Sequence, residues 1–88
     1  MATAENWKTF DQAEWCVDLM ISHYATSMNA ELQRPEPDQA LIAKWQQEQN
    51  HLDDERDALR IEDQANSERV INTYSPLAQE LYRPANPA

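Results

Sequence analysis

Residues 10–32 read FDQAEWCVDLMISHYATSMNAEL. At about 100° per residue the stretch puts Phe10, Ala13, Val17, Met20, Ile21, Tyr24, Met28 and Leu32 on one side. A stripe of that width is the core face of an amphipathic helix. Thr9 with Gln12 has the spacing of a capping box, the hydroxyl accepting from the third backbone N–H and the amide reaching back. Helix 1 is therefore expected over residues 10–32. Trp15 and Leu19 lie nearly opposite the stripe, with Cys16 and His23 on a flank. Apolar residues behind a core face are either scattered surface hydrophobes or a second packing face, against another copy, a partner or the chain's own C-terminal part.

Outward from this helix, proline sets the boundaries. The link Gln33-Arg34-Pro35-Glu36-Pro37 is short, which favours an antiparallel return. Pro37 suits a first helical position and Asp38 places negative charge at the positive end of the helix dipole. From there nothing breaks the helix outright before Tyr74, so helix 2 is expected over residues 37–74, about 57 Å long. Its weak point is Asn66-Ser67, where Ser67 could cap a fresh helix. Leu41, Trp45, Leu52, Leu59 and Val70 form a narrow seam, with Trp45, Leu52 and Leu59 at heptad spacing. A short last helix over residues 76–82, capped by Ser75, carries Leu77, Leu81 and Tyr82, and residues 83–88 are expected to be disordered.

These expectations define one small all-α domain over residues 1–88, an antiparallel helical hairpin with a long second helix and a short C-terminal one. Helix 1, about 35 Å long, leaves roughly 20 Å of helix 2 unpaired. A break at Asn66-Ser67, a fold-back of residues 76–82 or a second chain would cover it, and the favoured cover is a second chain with the fold-back contributing, two hairpins forming a four-helix bundle. The expected assembly is thus a homodimer.

Composition narrows the function. The chain has 88 residues and no glycine. It therefore offers no phosphate-cradling loop, nucleophile elbow or Rossmann turn, and hairpin-rich sheets are disfavoured with them. One cysteine allows no internal disulfide. No basic-led apolar leader or membrane-length apolar run is present, so a cytoplasmic protein without membrane contact is expected.

Candidate chemistry is sparse. Glu48-Gln49-Asn50-His51 has the Glu-x-x-His spacing of carboxylate-bridged di-metal bundles, with Glu14 as a conceivable third ligand, but His51 falls about 100° off the seam. Clustered carboxylates also suggest an all-α metal-dependent nucleotide hydrolase, yet helix 1 offers only Glu14 and Asp18 to face them. Cys16 and His23 lie two turns apart, about 10 Å, too far for a proton-transfer pair. No catalytic residue, metal or cofactor is expected.

Sixteen acidic against seven basic residues give a net charge of −9, which disfavours direct nucleic-acid binding. Residues 48–63 carry seven acids against Arg56 and Arg60, a net −5 on a rod of about 24 Å. The expected function is binding another protein, as an accessory factor or inhibitor of the kind that phages and plasmids also carry. Trp15 and Leu19 would serve as apolar anchors. Asp53, Asp54, Glu55, Asp57, Glu62 and Asp63 would steer a partner with a basic surface. The alternative is a nucleic-acid mimic that occupies a basic groove.

Overall fold

The computed structural model describes residues 2–81. They form three helices and no strand: α1 (Ala4–Leu32), α2 (Gln39–Ala58) and α3 (Gln64–Leu81). The protein is all-α. Among the described residues no φ is positive, so α1 and α2 end without the left-handed residue that glycine usually supplies. At the end of α1, for example, the N–H groups of Gln33 and Arg34 donate to the carbonyls of Ala30 and Glu31, at 3.2 and 3.1 Å, a tightening of the last turn that satisfies orphan carbonyls.

α1 starts six residues earlier than the Thr9 capping box implies. The box forms at Thr3 instead, whose hydroxyl accepts from the Asn6 N–H at 3.1 Å while Asn6 Oδ1 accepts from the Thr3 N–H at 2.9 Å. The extra turns persist because they are packed. Trp7 and Phe10 meet edge to face with centroids 6.5 Å apart, and Gln64 at the start of α3 grips the same segment. Its Nε2 donates to Thr9 Oγ1 at 2.8 Å and its Oε1 accepts from Asn6 Nδ2 at 2.9 Å.

α2 begins two residues later than expected, at Gln39 rather than Pro37. Asp38 is its cap, accepting from the Leu41 N–H at 3.1 Å, and Pro37 stands outside the helix. The larger difference is that helix 2 does not run to Tyr74. It stops at Ala58, with Leu59 extended and buried. Arg60 Nη1 donates to the carbonyls of Asp57 and Leu59, at 2.6 and 2.8 Å, which closes the C-terminus of α2. Asp63 Oδ1 accepts from the Asn66 N–H at 3.0 Å and so opens α3. The break therefore falls at Leu59–Asp63 rather than at Asn66-Ser67, and Ser67 sits wholly buried inside α3.

α3 then runs through Pro76, which was expected to start a separate helix capped by Ser75. Proline removes the bond to the carbonyl four residues back, but that carbonyl belongs to Asn72, which is exposed to solvent, while Tyr74 and Ala78 on either side are buried. Tertiary packing outweighs the lost bond. The expected disorder of residues 83–88, and the expected place of Tyr82, lie outside the described residues.

α1 is the spine. α2 returns along it, with Asp38 beside Glu31 and Arg56 beside Glu14 and Asp18. α3 runs the same way as α1, from Gln64 beside Thr9 to Tyr74 and Leu77, which face Met20 and Tyr24. The two are thus staggered, α3 toward the N-terminal end of α1 and α2 toward its C-terminal end. The radius of gyration, 15.4 Å, exceeds the roughly 12 Å of a compact domain this long. The core is Ala13, Cys16, Val17 and Met20 from α1, Leu52 and Leu59 from the α2 segment, and Val70, Tyr74 and Ala78 from α3. Small buried residues lie on both helices, Ala13 and Cys16 on α1 and Ser67 and Ala78 on α3. The overhang of helix 2 that called for a second chain does not arise, since α3 folds back onto the spine.

Candidate functional site

Two surfaces of this three-helix body carry features that its folding does not use up. The first is the outer face of α1 and α2. Arg56 projects from α2 between two carboxylates of α1, with Nη1 at 2.6 Å from Glu14 Oε2 and Nε at 2.9 Å from Asp18 Oδ1. These contacts hold its guanidinium pKa above the ordinary value. Asp53 and Asp57 flank Arg56 on the outward side of α2, and both are exposed. Trp15 is 60% exposed. It stands beside Asp11 and Asp18, four residues before it and three after it on the same helix.

The acidic residues expected to act together are divided by the turn at Leu59–Asp63. Asp53, Asp54, Asp57 and Glu62 are exposed. Glu55 is not available: its carboxylate accepts from Arg69 Nη2 at 2.9 and 3.0 Å and from the Tyr74 hydroxyl at 3.4 Å, joining α2 to α3. Asp63 is spent as the α3 cap. The straight acidic rod over residues 48–63 is therefore interrupted at Ala58. Leu19 is half-buried and packs against the core, whereas Trp15 does not.

The second surface is a groove of about 270 Å³. α1 supplies its floor with Met20 and Tyr24, α2 one wall with Gln47, Glu48, His51 and Leu52, and α3 the other with Tyr74 and Leu77. Burial and the neighbouring Glu48 carboxylate push the Tyr24 phenol up to about 12. Tyr74 is raised by burial and by Glu55. Both phenols are thus neutral donors across the physiological range.

Glu48 and His51 share a wall of this groove, but Glu14 is held by Arg56 elsewhere, so one chain does not assemble the Glu14, Glu48 and His51 ligand set. Among the described residues no group of three or more His, Cys, Asp or Glu is placed to hold a metal ion. Cys16 is 1% exposed. Burial raises its thiol pKa, with partial relief from a hydrogen bond to the Ser75 side chain, the opposite of what a nucleophile needs. Among the described residues no helix is long and apolar enough to cross a membrane.

Sequence reasoning passed over Glu31 and Gln64 and saw Tyr24 only as part of the core stripe. Glu31 acts across the link to Asp38, whereas Gln64 acts on Asn6 and Thr9, more than fifty residues away, and Tyr24 on Glu48 of another helix. No protein-family model matches the chain, and no curated protein or solved structure is significantly similar to it.

Proposed function

We propose that the protein acts by binding another protein in the cytoplasm, as an accessory factor or inhibitor, and that it does so through the outer face of α1 and α2. The observation that carries this reading is the exposure of Trp15 in the middle of the longest helix, beside Asp11 and Asp18. An indole left in water is a ready hot spot, because burying it in a partner's pocket returns a large apolar area with few rotamers lost. The surrounding carboxylates, with Asp53, Asp54, Asp57 and Glu62 on neighbouring segments, favour a partner rich in Lys and Arg and speed the encounter.

A homodimer is a second reading, favoured by Trp7 and Trp15, both at least half exposed on α1. Against it stands the repulsion between two chains of net charge −9. Nucleic-acid mimicry loses support from the interrupted rod, since α2 alone presents only its last three turns of acids.

Capture from native lysate at low and high salt, with bound proteins identified by mass spectrometry, tests the proposal. Trp15→Ala should abolish capture of the specific partner. The Asp53→Asn, Asp54→Asn, Asp57→Asn triple variant should weaken capture and flatten its salt dependence. Capture unchanged by either set overturns the reading. Light scattering decides the dimer, which would run at twice the 10.2 kDa of the chain.

A further inference from the structure

α2 and α3 meet where Arg69 and Tyr74 reach Glu55, and the groove opens beyond that junction toward Glu48 and Leu77. Three helices surround it where a bundle would place a fourth. We propose that this groove is a second docking site, and that it takes a basic amphipathic helical segment of a protein partner: an apolar side chain against Met20 on the floor and Leu52 on the wall, and a Lys or Arg beside Glu48.

Size, polarity and charge each argue for that occupant. At about 270 Å³ the groove falls below the roughly 300–1,000 Å³ clefts that enclose drug-sized ligands, and it is open along one side. That suits the anchors of a helix laid across it. Its rim extends the apolar surface outward, with Leu77 50% and Leu81 42% exposed. Neither Lys nor Arg lines it. Among the described residues no ion pair reaches Glu48, whose carboxylate meets only the Tyr24 phenol. A cation on an apolar stem complements that combination. A second copy of this chain would bring a net charge of −9 to a wall that is already anionic.

This site is independent of the proposed outer face. Trp15 projects from the side of α1 opposite Met20 and Tyr24. A chain with both sites could hold two partners, or two parts of one, on opposite sides.

The test is an NMR titration of the isotopically labelled full chain with a synthetic amphipathic peptide of Leu and Lys at helical spacing, and with a control peptide in which Ser replaces each Leu at the same charge. The expected result is saturable shifts at Met20, Leu52 and Leu77, with the control peptide at least about tenfold weaker. Leu77→Asp should weaken binding about tenfold, and Glu48→Gln should weaken it about fivefold and flatten its salt dependence. Leu77 is half exposed, so its variant keeps the fold, which circular dichroism checks. The Asp53→Asn, Asp54→Asn, Asp57→Asn variant should bind within about twofold of the parent. Shifts confined to the Trp15 face, equal affinity for the two peptides, or unweakened binding by folded Leu77→Asp each overturn the proposal. So does light scattering that shows a dimer which Leu77→Asp dissociates, because a second copy then fills the groove.

Discussion

The buried carboxylate of Glu31, in the last turn of α1, accepts the backbone N–H of Asp38 at 3.0 Å. That single bond fixes where the chain turns back. It ties the cap residue of α2 to the end of α1, and Arg34 Nη1, at 3.1 Å, balances the charge. Glu31→Ala removes a hydrogen bond from the Asp38 N–H to a charged acceptor and should cost about 1–3 kcal/mol in urea unfolding. Arg34→Ala should cost less than about 1 kcal/mol, since the Arg34 side chain is 65% exposed. Equal losses would show that the ion pair, and not the N–H, secures the turn.

The break between α2 and α3 predicts opposite effects at two residues. Asp63→Ala removes the α3 cap and should destabilise by about 1 kcal/mol. Ser67→Ala removes a buried hydroxyl that has no hydrogen-bond partner and should be neutral or stabilising. A helix capped by Ser67 would reverse this order.

Pro76→Ala restores an N–H to the exposed Asn72 carbonyl within a continuous α3 and should raise stability by about 1–3 kcal/mol in thermal unfolding. Were Pro76 the first residue of a separate helix, the same change would gain nothing.

Tyr24 supplies a pH dependence. Its folded pKa, about 12 against the ordinary 10, means that the unfolded chain loses this proton first as pH rises. The stability Tyr24 contributes is complete below pH 10 and is lost progressively between pH 10 and about 12. Phenolate absorbance should show Tyr24 and Tyr74 both titrating above the ordinary range, and Tyr24→Phe should remove one of these late components and lessen the alkaline fall in stability. An ordinary titration of all tyrosines would refute the burial of Tyr24 beside Glu48.

Cys16 reports opening of the α1–α3 interface. Its burial and raised pKa predict negligible reaction with a disulfide reagent at pH 8 in the native protein and full reaction in urea. Prompt native labelling would mean that α3 separates readily from the spine.

The readable parts of this fold were those governed by neighbours in the chain. The stripe foretold the buried face of α1 at Ala13, Val17 and Met20, although Leu32 at its end is 52% exposed and Cys16, read as flanking it, is buried. Leu52, Leu59 and Val70 are buried too, but on α2, its cap and α3 rather than along one helical seam. The link at residues 33–37 preceded a helix as its prolines suggested. Absence of glycine matched a backbone with no positive φ among the described residues. Each of these follows from side-chain spacing or local backbone preference, which a few adjacent residues decide.

What the sequence left open turned on residues brought together from far apart. The sequence offered Thr9 as the start of α1, but the box forms at Thr3, and Gln64, more than fifty positions away, fastens the segment before Thr9. Asn66-Ser67 looked like the weak point of helix 2, yet the chain turns at Leu59 because α3 can then lay Ser67, Val70, Tyr74 and Ala78 on α1. Glu55 and Asp63 read as surface charge until Arg69 and the start of α3 claimed them. The groove has no signature in any one helix. It exists only because α2 and α3, staggered along α1, leave Met20 and Tyr24 partly uncovered between them, and long-range packing alone could decide that.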